Sequence, residues 1–197
     1  DRPGRCHLAV VAKILEAENK ARQRSERETT QEAMRKVERT VNFNRERVIV
    51  VDGQGWHRGV IGIVASRIVE KYERPAVVIS VANGVGRGSG RSIKSFHLFN
   101  ALRSCEAILE EFGGHAQAAG LTVAEKNIPQ LREKINAFAM EHLSPGDLKR
   151  QVPVDMELKL AELTGRFLEE LELLEPHGMG NPRPVFHSDN LRLKAKP

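Results

Sequence analysis

The sequence predicts an α/β fold with a mixed sheet and helices on both faces, and three observations carry that prediction. Two short apolar runs, residues 48–52 and 76–81, are typical of buried strands. Residues 60–72 between them are amphipathic, so the three segments form a β-α-β unit with parallel strands. Glycine then occupies every second position of residues 84–90, which predicts a further strand or strand-like loop.

Length and composition limit the class of protein. The 197 residues suffice for one large domain or two small ones, and the net charge of +5 is compatible with nucleic acid. One Trp, one Tyr and seven Phe are too few for a large base-stacking platform. Cys6 and Cys105 match no metal or redox spacing, which indicates two reduced thiols. No apolar run reaches the roughly 18 residues of a membrane span, so neither a transmembrane helix nor a secretory signal is expected.

A long helix is expected first, over residues 7–41. Its beginning carries a helical apolar stripe, formed by Leu8, Val11, Ile14 and Leu15. The segment from Lys20 onward is almost entirely charged, which favours a solvated helix between domains; the alternative is a basic contact to a partner.

The remaining elements follow in order. Residues 96–112 predict a helix ended by Gly113 and Gly114, and residues 118–123 a strand. Asn127 caps a predicted helix that runs to about His142. The rest of the chain predicts a half-buried strand over residues 152–160 and a helix over 163–174. A turn-rich bridge over 176–184 and a new strand from Phe186 follow. Both ends look cut, so a fragment of a longer protein is expected.

The glycine-alternating segment is the first candidate site. In an extended conformation its glycines bare one face of the backbone, which suits close approach of a ligand. Arg87, Ser89 and Arg91 point to the other face, and two guanidinium groups with a hydroxyl are suited to a phosphate. The alternative is a flexible glycine hairpin with solvated arginines.

Two further groups are candidates. Gly113, Gly114 and His115 combine permissive backbone with a side chain that can bind a phosphate or carry a proton; a helix cap with a surface histidine is the alternative. Trp56 and His57 follow the first strand at the edge where open α/β sheets bind ligands; the alternative is a partly buried Trp and a capping His with structural roles only. No metal-binding, Walker A or GxSxG motif is present.

Three stretches together resemble the RecJ family, whose members are bacterial single-strand-specific 5′-to-3′ DNA exonucleases. This family belongs to the DHH phosphoesterase superfamily. The stretches are residues 53–65 (GQGWHRGVIGIVA), 88–92 (GSGRS) and 112–120 (FGGHAQAAG), and residues 176–186 resemble the family's junction into an OB-fold. The resemblance implies a connecting helix over residues 1–45, a DHHA1 domain over 46–175 with a mixed sheet flanked by helices, and the first OB-fold strand over 176–197.

The resemblance also implies roles for residues. Ser89 and Arg91 would hold the 5′-terminal phosphate, and Gly114 and His115 would face the scissile bond and complete a metal site across a domain cleft. The whole candidate set is His115 in a supporting catalytic role and, for substrate or phosphate binding, Arg87, Ser89, Arg91, Ser92, Gly113, Gly114, Trp56 and His57.

The Asp-His-His motif that names the superfamily is absent from this sequence. The divalent metal, Mn or Mg, would therefore be bound by an absent DHH domain. No metal is expected in this chain, and the chain alone is expected to be inactive. Single-stranded DNA is the implied substrate in recombination and repair, with single-strand-binding protein and a helicase as further partners, no membrane contact and a cytoplasmic location.

Two alternatives remain open at this point. One is a DHH-family phosphoesterase for short oligonucleotides or nucleoside bisphosphates. The other is a non-catalytic nucleic-acid-binding module such as the C-terminal domain of alanyl-tRNA synthetase. The long charged helix and the apparent start of an OB-fold favour the exonuclease.

Overall fold

The computed structural model describes residues 3–192, with side chains from residue 10 onward. Two compact units divide the chain, residues 1–149 and residues 150–197. Each unit is described by itself below.

The first unit begins with one long helix, α1 (Pro3–Thr40), which confirms the predicted helix. Its second half is anchored by Ala33 and Val37, both fully buried. Glu26, only 7% exposed, accepts hydrogen bonds from Nε and Nη2 of Arg67 at 3.0 and 2.5 Å. Val11, Ile14 and Leu15 of the apolar stripe are at least half exposed, and the side chain of Leu8 lies outside the described residues.

A five-stranded sheet follows, and it confirms the predicted mixed topology. Its strands are β1 (Ile49–Gln54), β2 (Ala76–Ala82), β3 (Val85–Arg91), β4 (Leu109–Gly114) and β5 (Ala118–Ala124), in the order β1-β2-β3-β5-β4. The helix α2 (Arg58–Tyr72) connects the parallel strands β1 and β2, as the β-α-β pattern predicts. The other pairs are antiparallel.

Helices cover both faces of this sheet, as predicted. On one face α1 and α2 pack against Ile49, Val51 and Val78. On the other face α3 (Leu98–Arg103) and α4 (Ile128–His142) pack on residues such as Val50 and Ile79. Cys105 is buried in this second core, and burial raises the pKa of its thiol, as fits a structural cysteine.

The predicted helix over residues 96–112 is wrong. Only α3 is helical by a full turn, followed by a short 3₁₀ turn over Glu106–Ile108, and the chain then forms the strand β4. Pairing with β5 turns this segment into a strand, so Gly113 and Gly114 end a strand instead of capping a helix. Leu98 and Leu102, two apolar positions of the predicted helix, are buried in α3.

The prediction that the glycine face of residues 84–90 admits a ligand is also wrong. A Cβ atom added at Gly86, Gly88 or Gly90 would lie 2.8, 2.9 or 2.7 Å from the nearest core side-chain atom. Those atoms belong to Ile79, Leu121 and Leu98. Because β3 is a central strand, its glycines make room for aliphatic side chains of the second core.

Within residues 150–192, the second unit contains the strand β6 (Met156–Glu157), a short 3₁₀ turn over Leu160–Glu162, the helix α5 (Gly165–Glu172) and the strand β7 (Phe186–His187). The helix α5 confirms the prediction over residues 163–174, and β7 begins at the predicted Phe186. The predicted strand over 152–160 is reduced to β6, which pairs in parallel with β7. Of its apolar positions only Leu158 is buried, whereas Val152, Val154, Met156 and Leu160 are 46–61% exposed, so most of the expected half-buried face is not formed. Residues 193 and 194 of the predicted last strand lie outside the described residues.

Among residues 3–192, no helix is both long and apolar enough to cross a lipid bilayer.

Candidate phosphate-binding cleft

A cleft of about 540 Å³ opens on the α2 side of the sheet. Its floor is formed by β3, β5 and β4, and the first turn of α2 forms one wall. The lining residues are Arg58, Ile61, Arg87, Gly88, Ser89, Glu111, Phe112, Gly113, Gly120, Leu121 and Thr122.

The centre of the floor is bare backbone. Gly113 in β4 lies opposite Gly120 in β5, and Ser89 in β3 lies on the other side of Gly120. A Cβ at Gly113 would meet no atom within 4 Å, and one at Gly120 would meet only the Gly88 carbonyl at 3.8 Å. This is where a ligand can approach the main chain closely, a property that the sequence suggested for residues 84–90.

Ser89 and Arg91 form a preorganised pair beside this floor. Arg91 donates from Nη1 to Ser89 Oγ at 3.1 Å and to the Gly90 carbonyl at 2.8 Å. Both side chains lie against Gly62 in α2, where an added Cβ would be 2.9 Å from Arg91 Nη2 and 3.2 Å from Ser89 Oγ. Because Gly62 has no side chain, the Arg91 guanidinium group can lie directly against α2.

Two exposed arginines add positive charge to the cleft. Arg87 lies between Ser80 and Thr122 in the strand register, on the same sheet face as Ser89. Arg58 is the first residue of α2 and lines the cleft, although the helix dipole disfavours a cation at this end of a helix. Glu111 is the acidic residue of the lining.

The arrangement suits a phosphate group. Arginines supply paired N–H donors, a serine supplies a hydroxyl, and glycine backbone permits close approach. The single carboxylate of Glu111 does not neutralise the arginines on the two sides of the floor.

His115 and Gly114 lie beyond the floor, at the turn between β4 and β5. Gly114 has a φ of +141°, which only glycine adopts readily, and an added Cβ there would overlap the β5 backbone at Ala118 and Ala119. The His115 N–H donates to the Ala118 carbonyl at 2.8 Å, and its Nδ1 accepts from the Gln117 N–H at 3.3 Å. The histidine is thereby fixed with an exposed ring two residues from Gly113.

Of the nine candidates, Arg87, Ser89 and Gly113 line the cleft, whereas Arg91, Gly114 and His115 follow these lining residues along β3 and β4. The other three, Trp56, His57 and Ser92, have structural roles. Trp56 is 5% exposed and packs in the core against Gly53, where no Cβ would fit. His57 caps α2, because its Nδ1 accepts from the Gly59 N–H at 3.1 Å. Ser92 shapes the next loop, donating from Oγ to the Phe96 carbonyl at 2.8 Å.

The cleft also contains residues that the sequence did not single out, which are Arg58, Glu111, Gly120 and Thr122. Arg58 and Gly120 lie within the stretches that carry the family resemblance, so those motifs were the available signal. Glu111 and Thr122 pair across β4 and β5, and the wrong helix over 96–112 concealed that pairing.

Within residues 3–192, no group of three His, Cys, Asp or Glu side chains is placed to bind a metal ion. Asp52, the last residue of the first apolar run, forms a salt bridge with Lys36, whose Nζ lies 2.9 Å from Asp52 Oδ2. These residues therefore do not fit a divalent ion by themselves.

Two protein-family models match the chain. One is described as the DHHA1 domain and matches residues 45–141; the other is described as the RecJ OB domain and matches residues 154–196. The second match begins soon after the division between the two compact units at residue 149. The division predicted at residue 175 stays a prediction.

Relatives and solved structures agree with these matches. The chain is 38% identical to a Bacillus subtilis protein named single-stranded-DNA-specific exonuclease RecJ, over 95% of this chain and 25% of that protein. It resembles the crystal structure of RecJ in complex with Mg²⁺ from Thermus thermophilus with a TM-score of 0.74 at 33% identity, over 90% of this chain and 27% of that one. The Mn²⁺ complex from the same organism gives a TM-score of 0.73 at 33% identity, over 90% and 26%.

The chain thus spans about a quarter of the length of these relatives. The similarity includes the cleft, because all its lining residues lie within residues 45–141.

Proposed function

The chain belongs to the RecJ family, of which it carries the DHHA1 domain and OB-domain residues, and from this premise we propose that it is the substrate-binding portion of a metal-dependent 5′-to-3′ single-stranded DNA exonuclease. The observation that supports the proposal most directly is the cleft between α2 and the strands β3, β5 and β4. It combines arginine and serine donors with a bare glycine floor, which are the groups a terminal phosphate requires.

The residues of the cleft act by binding and orienting the strand. Arg91, held by Ser89 and the Gly90 carbonyl, offers its remaining N–H groups to the phosphate, and Arg87 and Arg58 add charge from two sides. Gly113 and Gly120 let the sugar-phosphate backbone approach the sheet. Such positioning and charge neutralisation account for much of the catalysis of phosphoryl transfer.

His115 is proposed as the supporting catalytic residue. Its Nδ1 accepts from the Gln117 N–H, so a neutral ring carries its proton on the exposed Nε2. That Nε2 can donate to a non-bridging oxygen of the scissile phosphate. Trp56, His57 and Ser92 then act indirectly, because they shape the backbone next to the cleft.

A divalent metal would activate the attacking water in the whole enzyme, and the metal complexes of the Thermus RecJ structures support its presence there. We place its ligands in a DHH domain outside this sequence, since the described residues do not fit the ion. We also propose that this chain is inactive without the rest of the enzyme. The whole enzyme would contact single-strand-binding protein and a helicase and would act in the cytoplasm.

The two alternative functions are not favoured. The relatives that match over most of the chain are RecJ proteins, and the RecJ OB domain model matches the residues after 153. Neither match is expected of a short-oligonucleotide phosphoesterase or of a synthetase domain.

The test compares binding of this chain to a short single-stranded DNA with a 5′-phosphate and to the same DNA with a 5′-hydroxyl. We expect tighter binding of the phosphorylated strand, and loss of that preference in Arg91→Ala. Charge-assisted hydrogen bonds contribute about 1.5–3 kcal/mol, so the preference should be roughly 10- to 100-fold.

The control is Arg103→Ala, which removes an exposed arginine of α3 outside the cleft and should keep the preference. Equal affinity of the unaltered chain for both strand ends, with only a strong salt dependence, would show a basic surface without a terminal-phosphate site.

A further inference from the structure

The outward face of α1 carries a row of cations that the proposed function does not use. We call it the arginine row, and all its members are exposed: Lys20, Arg24, Arg27, Arg35 and Arg39. They lie on one side of the helix because successive members are three or four residues apart, with Gln31 at the intermediate position between Arg27 and Arg35. Ala33 and Val37 are buried on the opposite side of the helix, so the row points away from the core.

Two carboxylates of α1 pair with side chains of α2 and do not neutralise the row. Glu26 binds Arg67 of α2, and Glu38 lies 2.8 Å from Lys71 Nζ. Lys20 pairs with Glu16, but the four arginines of the row make no ion pair within the part of the chain that the structure describes. Glu28 and Glu32 flank the row on one side and reduce its charge without cancelling it.

The shape of the row fits the backbone of a nucleic acid duplex. With a rise of about 1.5 Å per residue, Arg24 to Arg39 spans about 22 Å along a rigid rod. A duplex is a comparable rod, with one phosphate charge per about 1.7 Å of its axis. Residues 20–40 contain no aromatic side chain, so the row cannot stack unpaired bases, as surfaces for single strands usually do.

The row is separate from the cleft. None of its residues lines the cleft, and its side chains border two shallow depressions on α1 itself. A DNA held at the row is therefore contacted independently of a strand end held in the cleft.

We propose that the arginine row is a second DNA-binding surface, which binds the phosphate backbone of a duplex segment next to the single strand. The inference rests on the proposed function in taking DNA as the ligand. It adds that the arginine row binds the duplex part of a tailed or gapped DNA through phosphate contacts, which do not depend on base sequence.

The experiment measures binding of the whole chain to a single-stranded tail alone and to the same tail joined to a duplex, across a salt series. We expect the joined duplex to increase the affinity about tenfold at low salt. Arg27→Glu/Arg35→Glu should abolish that gain. In Arg27→Ala/Arg35→Ala, the slope of log K against log salt for the tailed duplex should become shallower by about 2, one phosphate contact per arginine.

The matched control is Arg103→Glu/Lys126→Glu, which makes the same change of net charge at two exposed positions off the row and should keep the gain. Circular dichroism of each variant verifies that the helices are retained. The inference is overturned if the joined duplex adds no affinity, if the control loses the gain equally, or if the row variant weakens tail binding as much as duplex binding.

The same titrations separate this inference from the proposed function, because they are run with and without a 5′-phosphate on the tail. Discrimination of the phosphate without a gain from the duplex rejects only the arginine row. A gain from the duplex without discrimination of the phosphate rejects only the terminal-phosphate cleft.

Discussion

Gly62 shows how single positions define the cleft. It lies in the middle of α2, where glycine costs a helix up to about 1 kcal/mol relative to alanine. That cost is explained by Arg91 and Ser89, whose polar atoms lie 2.9 and 3.2 Å from the position that a Cβ would take. Helix propensity alone favours alanine at this position, whereas the observed position of the Arg91 guanidinium group requires glycine.

Gly62→Ala should therefore separate stability from binding. We expect no loss of thermal stability, because the gain in helix propensity offsets the shift of the flexible Arg91 side chain. The preference for 5′-phosphorylated DNA should fall several-fold, since the guanidinium moves. Thermal melting and strand-end binding measure the two effects. Gly165→Ala at the start of α5, where an added Cβ meets no atom within 4 Å and no residue of the cleft is near in the chain, serves as control; an equal loss of preference there would contradict the role of Gly62.

At the scale of elements, the strand β1 is held in place from the side by α4. Asn136, 7% exposed, accepts from the N–H groups of Arg47 and Val48 at 2.7 and 2.9 Å. Its Nδ2 donates to the carbonyls of Val48 and Arg132, both at 3.0 Å. The amide thus satisfies backbone groups where the strand begins, before the ladder with β2 takes over.

Asn136→Ala should destabilise the first unit by about 2–4 kcal/mol, because it leaves buried backbone groups without partners and removes packing. Chemical denaturation monitored by Trp56 fluorescence measures the change. Asn100→Ala removes an exposed amide of α3 and should change stability by less than about 0.5 kcal/mol. A loss below about 1 kcal/mol for Asn136→Ala would contradict the anchoring role.

The elements also show where local sequence misleads. Residues 109–112 carry spacing compatible with a helix, and two glycines follow them. The antiparallel partner β5 lies further along the chain, and it fixes β4 through pairs such as Phe112 with Leu121. A contact formed between separate segments cannot be read from either segment alone, so the prediction of a helix was wrong there.

For the whole molecule, the division into two units has a functional consequence. The cleft is lined only by residues of the first unit, and residues 150–154 after Lys149 are exposed and lack regular structure. The first unit also contains both helix-covered faces of the five-stranded sheet.

Limited trypsin digestion should therefore cut after Lys149 or Arg150 and leave a stable product that ends there. That product should retain the preference for 5′-phosphorylated DNA, since none of the cleft residues is removed. Mass spectrometry locates the cut, and binding of the purified product measures the preference. Loss of the preference on cleavage would mean that the second unit completes the cleft.

The sequence by itself determined the α/β class, the β-α-β unit, the long first helix and the family, because these depend on local periodicity and on contiguous motifs. It also singled out Arg87, Ser89 and Gly113, which lie together in the cleft, while their role in binding a phosphate stays a prediction. The tertiary structure decided which backbone is bare: the glycines of β3 are filled by core side chains, and Gly113 with Gly120 forms the open floor. The physical reason is that a side chain's surroundings depend on strand order and register, which segments distant in the sequence set together.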